Sequence, residues 1–475
     1  MAEERCDAVL VIPNPYTAEG INDTTHEQLL GILYIGTLLQ KNGFKCKIID
    51  AKVLGLSNSE IIQQIYDFKP KLIGITLVSV SYKATKDLCE KIRNLEFSPR
   101  VILGGPHPTS LPKETLAEFN VDAVVIGEGE QTFLEIVNNL KNNLPLFQNV
   151  AGVAYKENGE LKFNSSRPIN ANIDELPFPD HSMLPDPYLY KRRTNQSPAV
   201  PILTSRGCPY LCTFCSRDVY KNKVLFRTPK NVVNEIDYLV ETFKFKQIDI
   251  IDDNFLVNKN RAKEILQMII ERPYKIAINL QSGVRVDAID EELLIFMKKA
   301  GVYRVALGVE SGDERVLKNS KKGIKLDEVR KAVKLVKQAK LRADCFFMIG
   351  LPGDNAESMQ RTIDFAKELK PNTANFSMTI PFPGTELYRE AKEHGQLFID
   401  TRYGLDSGYN AANVAYLLEG MDKQEILKYY KKAYRDFYLR PIQIFRMLLD
   451  VKSIEEFKWL IKTGTSVFKS ILLKN

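Results

Sequence analysis

Arg206-Gly207-Cys208-Pro209-Tyr210-Leu211-Cys212-Thr213-Phe214-Cys215-Ser216 sets three cysteines at C-x3-C-x2-C, directly after an apolar run at 201–204 that reads as a strand. Soft thiolates this close together can all reach one metal centre. Structural zinc takes four nitrogen or sulfur ligands. No fourth stands at finger spacing: the nearest histidine upstream is His181 and the next cysteine is Cys345. An iron–sulfur cubane wants a cysteine at each iron. Three cysteines therefore imply a cluster with one iron left open for a substrate or cofactor; a zinc knuckle or chance clustering is the competing reading.

On the C-terminal side of this loop, apolar runs alternate with helix-period segments. Strands are expected near 201–204, 247–251, 276–280, 304–308, 344–349 and 375–380, with helices such as 232–242, 259–270 and 327–339 between them. Six such units over residues 196–390 predict a partial (β/α)6 barrel, TIM-like but open. In complete barrels the chemistry sits at the carboxyl ends of the strands, and polar residues gather at those places. Asp252, Asp253 and Asn254 follow the second strand, Gln281, Ser282 and Arg285 the third, Glu310 and Ser311 the fourth, and Ile349 and Gly350 the fifth. One loop carboxylate or arginine is more often solvated than functional; recurrence at successive strand ends is the signal.

On the N-terminal side, residues 5–142 carry strands at 8–12, 46–50, 72–77, 101–104 and 123–126 and helices at 27–41, 58–68, 83–95 and 130–142. Near-continuous apolar strands alternating with helices predict a doubly wound parallel sheet, Rossmann- or flavodoxin-like. Ligands of such sheets bind beyond the carboxyl ends of the strands. Ser79, Ser81, Gly104, Gly105, His107, Thr109, Gly127 and Glu128 stand there, and no G-x-G-x-x-G follows the first strand to hold a dinucleotide. Residues 143–195 join a hairpin around Asn158-Gly159 to a stretch rich in proline (Pro177, Pro179, Pro185, Pro187), which reads as a semi-rigid linker.

The cysteine loop, including Phe214 just before the last cysteine, resembles the cluster-binding loop of radical S-adenosylmethionine (SAM) enzymes, and the resemblance runs through residues 200–390. It implies a [4Fe-4S] cluster on Cys208, Cys212 and Cys215, with SAM on the open iron, cleaved to a 5'-deoxyadenosyl radical. It assigns the SAM ammonium to the segment of Asp252, Asp253 and Asn254, where many members carry Gly-Gly-Glu; which aspartate acts is left open. Arg285 is the candidate for the SAM carboxylate, Glu310 or Ser311 for the ribose, and Ile349 and Gly350 for adenine. Residues 5–142 resemble the cobalamin-binding domain that precedes the barrel in one large subfamily. The D-x-H-x-x-G motif that brings a histidine to cobalt is absent. The expectation is cobalamin with no protein histidine beneath it, packed by Ser79, Ser81, the 104–109 loop, Gly127 and Glu128. His107 either touches that ligand or is satisfied within its own turn, and a ligand-free flavodoxin-like module is the alternative for the whole domain.

Seven cysteines, four of them scattered singly at 6, 46, 89 and 345, do not form a disulfide framework, so a reducing, cytosolic compartment is expected. The N-terminus shows no signal peptide and no run of about 18 apolar residues appears. Of the net charge of +7, residues 421–475 supply most, with twelve Lys/Arg against six Asp/Glu. The body is nearly neutral, which argues against nucleic-acid binding. In residues 391–475, Tyr429, Tyr430, Ala433, Phe437 and Tyr438 recur at helical spacing among Lys431, Lys432, Arg435 and Arg440, and Phe445, Trp459, Leu460 and Phe468 follow among further lysines. This reads either as a helical cap closing the open barrel edge or as a basic amphipathic segment lying on the inner face of an anionic membrane. The leading functional expectation is a cobalamin-dependent methyltransferase acting through methylcobalamin on an unactivated carbon of a small molecule, with a lipid or tetrapyrrole among the candidates and ferredoxin or flavodoxin as electron donor. The alternatives are ring closure or carbon coupling with the same cofactors and, more distantly, a redox or corrinoid sensor.

Overall fold

The computed structural model describes residues 6–15, 28–190, 195–398 and 414–449. The first sheet has seven strands: β1 (Ala8–Ile12), β2 (Cys46–Asp50), β3 (Leu72–Thr76), β4 (Arg100–Gly104), β5 (Ala123–Val125), β6 (Val153–Glu157) and β7 (Glu160–Phe163). Their order is β2-β1-β3-β4-β5-β6-β7, and the first five are parallel. Alternate residues bury on opposite faces. Val9, Val11, Ile73 and Ile75 pack under helices Asn58–Phe68 and Tyr82–Arg93, while Ala8, Leu10 and Ile12 pack under Leu30–Lys41 and Glu130–Lys141. The hairpin expected in the connector pairs antiparallel with β5, so it widens this sheet.

The second sheet runs β8 (Ala199–Ile202), β9 (Gln247–Ile250), β10 (Ala277–Val284), β11 (Val302–Glu310), β12 (Arg342–Ile349) and β13 (Thr373–Met378). All pairs are parallel and the spatial order is the chain order. Strands β10 and β11 run four and two residues beyond the expected ends. Register shifts occur near those ends, between Leu280 and Val284 and between Gly308 and Glu310. The sheet stays open between β8 and β13. Helix Lys423–Tyr438 lies along the free edge of β13: the Tyr438 hydroxyl accepts from the Ala374 N–H (3.1 Å) and donates to its carbonyl (2.7 Å), and Tyr434 donates to the Phe376 carbonyl (2.8 Å). Phenol hydroxyls thus satisfy edge groups that would otherwise template another strand. This is the helical cap of the open edge; Trp459, Leu460 and Phe468 lie outside the described residues.

Candidate active site

Strand β8 delivers the cysteine loop to the barrel rim, and Gly207 turns the chain with φ +84°. A Cβ there would run into the Lys223 carbonyl, so only glycine makes this turn. Asp253 fixes the turn by accepting from the Gly207 N–H at 2.9 Å. Cys208 is half-buried, Cys212 buried and Cys215 exposed. Among the described residues no group of three or more His, Cys, Asp or Glu side chains is placed to hold a metal ion. Burial lifts the Cys212 thiol above its usual value, and Lys322 and Arg285 pull it back toward the thiolate. Beside it the buried Thr213 hydroxyl has no hydrogen-bond partner among the described residues. Three thiols on a short loop, two cations and an unspent hydroxyl donor fit a sulfur-rich, anionic cluster.

Several residues expected to hold SAM are already engaged. Asp252 is fully buried and accepts from Thr204 N–H (2.6 Å), Thr204 Oγ1 (2.5 Å) and Ser205 Oγ (2.6 Å), so it ties β8 to β9 and is closed to a ligand. Asn254 spends its side-chain oxygen on the Leu256 N–H. Ser311, wholly buried, contacts Thr362 Oγ1 and accepts from the Asp313 N–H. Arg285 is not an open fork: it donates to Asp287 and to the carbonyls of Lys322 (2.7 Å) and Gly323 (2.9 Å), and lies 3.7 Å over the Tyr210 ring. The Ile349 carbonyl accepts from Thr379, the Gly350 carbonyl from Tyr416 (2.7 Å), and the Gly350 N–H donates to Asp354. That turn is closed by the C-terminal segment, which no local pattern announces.

Two of the expected residues remain available: Asp253, with one carboxylate oxygen unspent among the described residues, and Glu310. Glu310 sits at φ +68°, a conformation costly for a residue with a side chain, and pairs at 2.7 Å with Lys322. The ammonium of Lys322 is buried and lies within electrostatic reach of Cys212 and Cys215. Lys322 escapes sequence reading because it stands among Lys318, Lys321 and Lys325, where a lysine run reads as a solvated face.

At the strand ends of the first sheet, a Cβ at Gly127 would meet nothing within 4 Å and one at Gly104 only Val125 at 3.8 Å, which leaves an open floor for a flat ligand. Thr109 links the loops around it, donating to the Gly105 carbonyl (2.8 Å) and accepting from the Gly127 N–H (3.1 Å). His107 is buried, with Nδ1 2.9 Å from Ser79 Oγ and its ring edge against Tyr82; burial lowers its pKa to about 4. It is satisfied by Ser79 from the neighbouring loop, not by its own turn. Ser81 closes on Val78 and Thr85. Glu128 turns to the other domain: Arg206, next to the cysteine loop, bonds Glu128 and Glu130 at 2.7 Å each and lies over Tyr34.

The two sets of loops face each other. A Cβ on Gly384 would strike Ser110 of the first domain, Asp218, and Ser216 Oγ of the cysteine loop at 2.9 Å. The proline-rich arm is pinned to both sides, by the Asp180 N–H on Thr37, His181 on Gln28 and Tyr190 on Asp50, and by Thr228 on Asp174.

Comparison with known proteins places these features. The Radical SAM superfamily matches residues 202–366 and the B12 binding domain matches residues 24–137. An uncharacterized methyltransferase of Pyrococcus horikoshii is 33% identical, covering 87% of this chain and 88% of its own length. The anaerobic magnesium-protoporphyrin IX monomethyl ester cyclase of Rubrivivax gelatinosus is 28% identical over 86% of this chain and 73% of the relative. The structure of the cobalamin-dependent SAM radical enzyme OxsB superposes with a TM-score of 0.74 at 21% identity, covering 99% of this chain and 72% of that one. The chain therefore belongs to the radical SAM superfamily, as a cobalamin-dependent enzyme whose barrel follows a B12-binding domain.

Proposed function

We propose that the protein is a cobalamin-dependent radical SAM methyltransferase. When bound, the cluster supplies the electron that cleaves SAM to the 5'-deoxyadenosyl radical, and cobalamin carries the methyl group. Cys208, Cys212 and Cys215 hold the cluster. Asp253 accepts from the SAM ammonium, and the Glu310–Lys322 pair meets the ribose and carboxylate. Gly104, Gly105, Thr109 and Gly127 form the corrin floor, with Ser79 and His107 behind it as one hydrogen-bonded unit. The observation that carries the reading is the meeting of Ser110, Ser216 and Gly384, which supports two cofactor faces turned toward one substrate carbon. Holding two reagents in that geometry is a positioning problem that a pinned interface solves.

The substrate is a small molecule, and ferredoxin or flavodoxin is the electron donor in this reading. Anaerobic incubation of the cluster- and cobalamin-loaded enzyme with methyl-deuterated SAM and a low-potential reductant should yield S-adenosylhomocysteine together with 5'-deoxyadenosine, with the deuterated methyl recovered on cobalamin. Deoxyadenosine alone would move the assignment to ring closure without methyl transfer, the reaction class for which the cyclase relative is named. Neither product would leave only a sensor.

A further inference from the structure

Helix Pro441–Leu449 is built inside out. Gln443 is its fully buried residue and donates to the Asn372 carbonyl (3.1 Å), anchoring the helix to the start of β13. Ile442, Ile444, Phe445, Leu448 and Leu449 are all exposed, Phe445 by 60% and Leu449 by 69%. At about 100° per residue these five fill an arc of roughly 160° centred opposite Gln443. A surface helix of a water-facing domain turns its apolar stripe to the core; this one turns it to solvent, and a contiguous apolar patch of that kind marks an interaction surface.

The rim of the patch is cationic. A groove of 490 Å³ beside the helix is lined by four cations, Arg330, Lys334, Lys337 and Lys370, against one carboxylate, Glu368. Burial holds the Lys337 ammonium below its usual value, and Arg446 of the helix and Lys370 add to the effect, so like charges are crowded here, while the groove's Glu368 is paired with Arg330 at 2.6 Å. Two copies meeting face to face would oppose these rims, which disfavours a dimer.

We propose that helix Pro441–Leu449 and the adjoining groove dock on an anionic lipid bilayer, with the apolar arc in the interfacial layer and Lys334, Lys337, Lys370 and Arg446 against lipid phosphates. An apolar helix face rimmed by cations is the form taken by in-plane membrane helices. The surface lies at the amino ends of the barrel strands, opposite the mouth that holds the cysteine loop, so docking does not depend on the methyl-transfer reading.

The test is sedimentation of the full-length protein with vesicles of phosphatidylcholine alone or with phosphatidylglycerol. Binding should require the anionic lipid, weaken with salt, and drop at least about tenfold in Phe445→Glu and in Lys337→Glu/Lys370→Glu. Both variants should retain the wild-type yield of 5'-deoxyadenosine, which shows that they fold. Three outcomes overturn the proposal: no binding to anionic vesicles, equal binding to neutral ones, or a dimer in sedimentation velocity that Phe445→Glu dissociates.

Discussion

Lys322 and Glu310 form a buried ion pair beside the cysteine loop, and each tunes the field there with opposite sign. A cation near a cluster favours the reduced, more negative state; removing it makes reduction harder. Lys322→Met should therefore lower the cluster midpoint potential, and Glu310→Gln, which unmasks the ammonium, should raise it. Each shift should be on the order of 60 mV, the one-electron equivalent of a tenfold change in equilibrium. Redox titration followed by electron paramagnetic resonance without SAM reads this directly, with Lys322→Arg as the control that keeps the charge. Shifts of the same sign would mean that the pair acts only through packing. The site is unevenly legible at this scale. The cysteines declare themselves by spacing, whereas Asp252 and Asp253 are adjacent and alike, and only the strand pairing decides that Asp252 turns inward to Thr204 and Ser205 while Asp253 turns to the loop. Arg285 looks like a carboxylate fork in sequence because nothing local reveals that the 322–323 carbonyls will meet it.

Two glycine turns hold the elements around the site, and their neighbours differ in kind. At Gly207 an added Cβ meets a backbone carbonyl, which cannot swing away; at Gly384 it meets the ends of three side chains, which can. Gly207→Ala should therefore cost about 3 kcal/mol and strip iron from the loop, while Gly384→Ala, where strain at φ +87° is the main term, should cost about 1 kcal/mol and keep it. Thermal unfolding and iron content separate the two. Elements are where the sequence reads best: β1, β2 and helices Asn58–Phe68 and Lys259–Ile270 lie where apolar periodicity puts them. The hairpin at Asn158-Gly159 is equally clear as a hairpin, but its membership of the first sheet depends on a partner, β5, some thirty residues away.

At the scale of the whole molecule, two buried histidines make folding sensitive to acid. Burial lowers His107 and His181 to about 4 from an ordinary 6.5. Between these values the unfolded chain binds protons that the folded one refuses, so the histidines' contribution to stability is intact above about pH 6.5 and is lost as the pH drops toward 4, while buried Asp354, raised to about 6, acts with the opposite sign. The loss should be roughly 1.4 kcal/mol per pH unit for each histidine, about 7 kcal/mol for the two across the whole window. His107→Gln and His181→Gln together should flatten the dependence of the urea midpoint on pH across this window; an unchanged slope would assign it to carboxylates. The fold class was readable from the alternation of apolar runs with helix-period segments. The interface was not, because the sequence reading gives Glu128 to the cobalamin loop and nothing local shows that Arg206 of the other domain will meet it and Glu130.

The strands of the second sheet lie side by side in the order in which they occur in the chain. On the ribosome each new strand can therefore add to an edge already present, and no earlier strand has to wait for a later one. The cysteine loop emerges with the first strand, while Tyr434, Tyr438 and Gln443, which seal the last edge, emerge more than two hundred residues later. Throughout that interval the rim of the growing barrel is open on one side. The edge that these residues cover is thus the last part of the sheet to be completed.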